Sequence, residues 1–286
     1  MIKLMITVLA CICMTLPAPG AHAEEPVSHA HTLVISGVVL DQGSNALDSR
    51  FTQWLAKHSG LRLSVRYADS YQSLSNTLRK QPDALGWTCG APFVEDHAAD
   101  GQQLVAIPLF KGKPLYHSLV IARSGRQEKS LADFKGQVFA YSDPRSNSGY
   151  VAPSYALKQA GIDIKSHFRY LMRTGLHEHS IEAVLGGIAD VANVDEYVVV
   201  EYLKAHPEAR KQLAIIEQFG PYPFTPVVAG KGVPKETIAR LQRALIGMHE
   251  DKEGAKILAG LGLDGFVTRE AAFYQPIAAM LHFLKQ

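Results

Sequence analysis

From His31 onward, short β-rich runs alternate with runs whose apolar residues recur at helical spacing, and this restricts the chain to an open α/β architecture. The spacing predicts a strand from His31 to Leu40, then a helix from Asn45 to His58 carrying Leu47, Phe51, Trp54 and Leu55 on one face. Leu61 to Tyr67 alternates as a strand, Ser70 to Lys80 reads as a helix that buries Leu74 and Leu78, and Asp83 to Thr88 is a third strand. Strands separated by helices form a parallel sheet covered on both faces, and ligands of such sheets lie beyond the carboxyl ends of the strands. Leu104 to Phe110 and Leu115 to Ala122 are two β-rich runs separated by Lys111-Gly112-Lys113-Pro114, which places a crossover into a second lobe there. That lobe repeats the pattern: a helix near Ser130 to Phe134, strand 137–142, helix 150–160, strand 168–172, helix 180–185, strand 190–194 and helix 196–205. Leu213 to Phe219 runs back, and Gly220-Pro221-Tyr222-Pro223 marks the return. The tail reads as three helices, 235–249, 253–261 and 270–284, expected to close the first lobe. Residues 24–112 and 221–286 are thus assigned to lobe 1 and 113–220 to lobe 2. Two crossover strands between two lobes make a hinge over a cleft.

The strand 137–142 feeds the stretch with the most chemistry, Tyr-Ser-Asp-Pro-Arg-Ser-Asn-Ser-Gly-Tyr from Tyr141 to Tyr150. Asp143-Pro144 turns the chain, and Ser146, Asn147, Ser148 and Gly149 crowd into the first turn of the next helix. A helix start carries unpaired N–H groups and the positive end of the macrodipole. Two hydroxyls, an amide and a glycine that admits a ligand to the backbone make this a candidate oxyanion pocket. An ordinary N-cap uses the same residue types.

Several segments in register resemble the type II periplasmic binding proteins for phosphonate, phosphite and related oxyanions, the PhnD-like family. They are Asp83 to Val94, Ser130 to Gly136, the Ser142 to Tyr150 stretch, Gly175 to Val184 and Ala189 to Asp195. The resemblance spans nearly the whole chain after the leader, and it implies a two-lobed type II fold that performs no chemistry. It implies the substrate-binding component of an ABC importer for phosphate-, phosphite- or phosphonate-like oxyanions, docking on a membrane permease. The alternative it leaves open is a periplasmic oxyanion sensor, for arsenite among others, partnering a membrane histidine kinase. A monomer is expected in either role.

The resemblance also assigns ligand-binding candidates. Ser146, Asn147 and Ser148 supply donors, and His177 contacts the oxyanion as imidazolium or as an N–H donor. Tyr116, with Ser118 beside it, matches the crossover strand, and Trp87, Cys89 and Phe93 come from the opposite lobe. Asp195 repels an oxyanion, so it holds His177, caps the following helix or meets a cationic tail of the ligand. Phe93 stands where many relatives carry Tyr, Asn147 where they carry Thr or Ser, and Leu176 where they carry Ser.

Lys3, the apolar stretch Leu4 to Leu16 and Ala21-His22-Ala23 form an export signal, residues 1–23, cleaved after Ala23 to a periplasmic destination. Cys11 is a weaker candidate for lipidation. The formal charge of +2 falls to +1 once Lys3 leaves, which gives nucleic acid or an acidic membrane no purchase. Cys89 is the one cysteine remaining of three. Enzyme readings find no support: there is no phosphate-binding Walker loop and no Gly-x-Ser-x-Gly. His177-x-His179 lacks the spacing of a zinc site, so neither cofactor nor metal is expected. Ser148 has no base arranged by sequence to activate it, and Cys89 with His177 as base is outweighed by surrounding motifs that belong to a binding fold.

Overall fold

The computed structural model describes residues 30–36 and 45–286. The leader 1–23 with Cys11, the last part of the expected first strand (37–40) and the side chain of Leu47 lie outside the described residues.

Two sheets organise the chain. The first has six strands in the order β11-β4-β10-β3-β1-β2. It comprises β1 (His31–Ile35), β2 (Leu63–Tyr67), β3 (Leu85–Trp87), β4 (Gln103–Leu109), β10 (Val227–Ala229) and β11 (Gly265–Val267). The second has five in the order β7-β6-β8-β5-β9: β5 (Leu115–Arg123), β6 (Val138–Tyr141), β7 (Tyr170–Arg173), β8 (Val191–Asp195) and β9 (Leu213–Pro223). β1 runs parallel to β2 and β3, and β6 parallel to β7 and β8, as the alternation requires. Antiparallel pairs flank the crossings, with β10 between β3 and β4 and β5 between β8 and β9, and the edge strand β11 also runs antiparallel to β4.

The helices α1 (Asn45–Ser59), α2 (Tyr71–Lys80), α6 (His177–Leu185) and α7 (Glu196–Ala205) fall close to where the spacing puts them. Phe51, Trp54, Leu55, Leu74 and Leu78 are buried, as expected of the apolar faces. α6 starts at His177, three residues before the expected Ser180, so the histidine occupies a first helical turn instead of a loop. A further helix, α3 (Gly90–Asp100), was not anticipated; Pro92 sits in its first turn, where the missing N–H costs nothing. β10 and β11, three residues each, were also not foreseen. The segment after β6 forms a π-helical turn, Asn147–Val151, before α4 (Ala152–Gln159), and a short α5 (Ile164–His167) follows.

The chain passes between sheets twice, through 110–114 and 224–226. At the first crossing Lys111 (φ 52°) and Gly112 (φ 72°) both take the left-handed conformation, the geometry of a tight two-residue turn. Phe110 and Phe224, one from each crossing, stack at 5.8 Å, with Tyr116 and Tyr197 packed on Phe224 at 5.5 Å each. The tail comprises α8 (Lys235–Gly247), α9 (Lys252–Gly260) and α10 (Gln275–Lys285). α8 and α9 pack on α1, burying Leu241, Leu245, Ile257 and Leu258. α10 departs from the expectation that it would close the first lobe alone, because it contacts both α3 and α4. Lys158 of α4 donates to the carbonyls of Phe283 and Leu284 (3.2 and 3.3 Å) and so caps the end of that helix.

Candidate functional site

The site is built where β6, the π turn and α6 converge. Ser146 caps the π turn: its Oγ accepts from the N–H of Gly149 at 3.0 Å. Asp143 shapes the approach, accepting from the N–H of Arg145 (2.8 Å) with one oxygen and from Arg173 (3.0 Å) with the other. The hydroxyls of Ser142, Ser146 and Ser148 then gather around one atom, Nε2 of His177, at 3.3, 3.3 and 3.5 Å. Ser146, Asn147 and Ser148 have no exposed surface and His177 is 1 % exposed. A methyl group added at Gly149 would come within 2.9 Å of Ser142 Oγ and 3.1 Å of Ser146 Oγ. The space beside these hydroxyls thus depends on glycine.

The other ring nitrogen, Nδ1, accepts from the backbone N–H of Asp195 at 3.4 Å, so the proton of the neutral ring sits on Nε2 and points into the cup. Burial lowers the His177 pKa to about 3. The ring is therefore a neutral N–H donor, the second of the two forms anticipated, and not an imidazolium. Asp195 is buried too, and burial raises its carboxyl to about 8, although the Tyr197 N–H it accepts at 2.8 Å acts the other way. Of the three roles expected of this residue, its carboxyl oxygen caps α7, and its backbone, not its side chain, holds His177.

The floor is held by side chains that face away from the cup. Ser118 Oγ donates to the carbonyl of Ser148 (2.8 Å) and accepts from Asn193 Nδ2 (2.8 Å), so it is a buttress and not a free donor. Asn147 donates through Nδ2 to Tyr116 Oη at 3.0 Å, while its Oδ1 is buried without a partner. The backbone N–H of Asn147 donates to Cys89 Sγ at 3.3 Å, joining the two sheets. Burial pushes the Cys89 thiol up to about 11, so it is a neutral, weak acceptor and no nucleophile.

Seven of the nine candidates thus lie together: Ser146, Asn147, Ser148, His177, Tyr116, Cys89 and Asp195. Trp87 and Phe93 do not join them. Trp87 packs its indole on Phe51 and Phe266 (5.4 and 6.0 Å), on the α1 side of β3. Phe93 lies edge-on to Tyr274 at 4.9 Å and against His97 at 5.4 Å, buried beneath the start of α10. Strand alternation sends Trp87 into the core, and helical rotation turns Phe93 away.

Tyr71, the first residue of α2, was not singled out by its sequence. Its hydroxyl is buried without a hydrogen-bond partner. Its pKa is raised well above the ordinary value, by burial first and then by the neighbouring Cys89, Asp143, Asp195 and Tyr116. These neighbours belong to the site, so Tyr71 brings an unused hydroxyl to it from the opposite sheet. The helix was expected from Ser70, whose Oγ accepts from the Ser73 N–H at 3.1 Å, but helical spacing does not mark Tyr71 as a site residue. Among the described residues no group of three His, Cys, Asp or Glu gathers as a metal site, and no helix is long and apolar enough to cross a membrane.

Residues 37–274 match the family model for periplasmic substrate-binding proteins of phosphonate ABC transporters. The phosphonates-binding periplasmic protein of Escherichia coli K12 is 25 % identical over 253 residues, covering 87 % of this chain and 74 % of that protein. A probable phosphite-binding ABC transporter protein of Prochlorococcus marinus is 25 % identical, covering 67 % of this chain and 68 % of its own. In fold, the chain superposes on a binding component of an ABC phosphonate transporter from Pseudomonas aeruginosa with a TM-score of 0.82 at 22 % identity. That match covers 90 % of this chain and 86 % of the other. The Prochlorococcus marinus protein in complex with methylphosphonate gives a TM-score of 0.78 at 20 % identity, covering 90 % and 98 %.

Proposed function

The chain belongs to the family of periplasmic substrate-binding proteins of phosphonate ABC transporters, and from that membership we propose that it captures a small phosphonate- or phosphite-like oxyanion between its two lobes and presents it to a membrane permease. The observation that carries this reading is the convergence of three serine hydroxyls on the Nε2–H of His177, beside the glycine that leaves them room. Hydroxyl and N–H donors converging in a buried cup suit a tetrahedral oxyanion, which offers acceptors in several directions. The resemblance to transport components favours import over the sensor alternative. The first sheet with its helices acts as one lobe and the second as the other, swinging about the crossings at 110–114 and 224–226; the return lies three residues beyond the boundary expected at 221, because β9 pairs with β5 as far as Pro223. The protein works as a monomer exported by its leader, with Ser142, Ser146, Ser148 and His177 as its ligand contacts.

Calorimetry of the mature protein against phosphate, phosphite, methylphosphonate, aminoethylphosphonate and sulfate tests the reading. Saturable binding of a phosphonate or phosphite supports it; no heat from any of the five sinks it.

A further inference from the structure

Arg145 stands immediately before the cup, yet its side chain leaves it and crosses to the other sheet's helices. Its Nη2 donates to Asp96 Oδ1 at 2.7 Å and to the carbonyl of Pro92 at 3.4 Å, its Nε to Glu95 Oε2 at 3.1 Å, and its Nη1 to Ser75 Oγ at 2.7 Å. Every one of these partners lies on α2 or α3, in the part of the chain that carries β1 to β4. The seam is closed: the Arg145 side chain is 16 % exposed and that of Asp96 is 5 % exposed. The second oxygen of Asp96 accepts from Ser75 Oγ and from Gln102 Nε2 (3.3 Å). Ser75 Oγ also lies 2.9 Å from the carbonyl of Tyr71, an alternative acceptor for its one proton, so the contact reaches the residue whose buried hydroxyl has no hydrogen-bond partner.

An arginine with this many directed, mostly buried bonds is a fixed strut. Its backbone N–H is held by Asp143, and Ser146 follows it directly, so the strut fixes the anion loop to the opposite lobe. Separating the lobes removes Arg145 from a carboxylate seated between two helices, and breaking one side of such a pair is costly.

We propose that Arg145 is a positioning residue for ligand binding: a clamp onto Asp96, Glu95 and Ser75 that holds the lobes together over the cup and sets the rate of ligand escape without touching the ligand. The proposal rests on the binding function argued above. The clamp forms only in the closed arrangement, so it acts on a state the ligand also favours. Affinity therefore includes a contribution from residues remote from the oxyanion.

Stopped-flow and calorimetric titration with methylphosphonate, on the mature wild-type protein and on Arg145→Gln, Arg145→Lys, Asp96→Asn and the Arg145→Gln/Asp96→Asn pair, tests it. The clamp predicts that Arg145→Gln raises Kd about tenfold or more through a faster off-rate, with the on-rate little changed. Lys restores part of the loss, and the double variant is no worse than Arg145→Gln alone. Small-angle scattering of the ligand-free Gln variant shows a more open molecule than wild type. If Arg145→Gln cannot be purified folded, Glu95→Gln, which removes one partner at a rim position, must show the same off-rate effect on a smaller scale. An unchanged Kd, a loss confined to the on-rate, or additive effects in the double variant would overturn the clamp. Failure of wild type to bind methylphosphonate or any other member of the oxyanion panel would instead overturn the function on which it rests.

Discussion

The backbone N–H of Asp195 donates to Nδ1 of His177 at 3.4 Å, and this one contact decides which face of the imidazole carries the proton. The donor nitrogen is turned toward Ser142, Ser146 and Ser148, and burial keeps the ring neutral down to about pH 3. Two buried groups of opposite titration behaviour therefore sit side by side, and each makes its own mark on pH dependence.

For His177 the depressed pKa means that the unfolded chain takes up a proton before the folded one does. Its contribution to stability is complete above the unfolded value of about 6.5 and is lost as pH falls toward about 3. His177→Asn should remove that acid slope from a melting-temperature series between pH 7 and 4. It should also weaken oxyanion binding about tenfold, with no new pH dependence between 5 and 7. An imidazolium contact predicts the reverse, with wild-type affinity rising as pH falls through that window.

Asp195 behaves oppositely. Its raised pKa makes its stabilising contribution full below about 4, the unfolded value, and lost as pH rises through about 8. Asp195→Asn keeps an oxygen for the Tyr197 N–H, so the cap survives. Its melting temperature should stay level between about pH 6.5 and 8, above the His177 window, where wild type declines, and its affinity should hold above pH 8 where wild type weakens. The ligand's own titration is common to both proteins and cancels in the comparison. Parallel curves for the two would refute the protonated carboxyl.

Gly149→Ala tests the cup's volume. The backbone there is not in the left-handed region, so the fold tolerates the change, but the added methyl meets Ser142 Oγ at 2.9 Å and Ser146 Oγ at 3.1 Å. Binding should fall at least about tenfold with a melting temperature within a few degrees of wild type. Retained affinity would place the anion elsewhere.

How far the sequence anticipates this site depends on how local each device is. Ser146 to Gly149 are adjacent, so turn and cap chemistry exposes them, and α7 begins and ends where Asp195 and the apolar spacing say it should. Pro92 hid α3, because a proline inside an Ala-rich run reads as a break unless the helix start is known to lie just before it. Trp87 and Phe93 pack away from the serine cup, which sequence proximity to a cleft does not reveal. Arg145 was invisible for a different reason: its partners are α2 and α3, and only the packing of one lobe on the other brings them near.

Tyr71 is the residue recovered from three dimensions alone. Tyr71→Phe removes a buried hydroxyl that has no hydrogen-bond partner among the described residues, so stability should hold or rise slightly. If that hydroxyl meets the ligand, Kd for methylphosphonate rises about five- to twentyfold. Unchanged affinity would leave Tyr71 as packing against Cys89.

No lysine or arginine hydrogen-bonds to the serine cup among the described residues, and burial alone accounts for the shifted His177. A cup that holds an anion with oriented dipoles, and no opposing ion, presents little that dissolved salt can screen. With the proposed anion held this way, the protein's affinity has little to lose as the surrounding medium passes from dilute to saline. Its grip on a scarce anion would then depend on the geometry of the hydroxyls and not on the ionic strength of the water outside the cell.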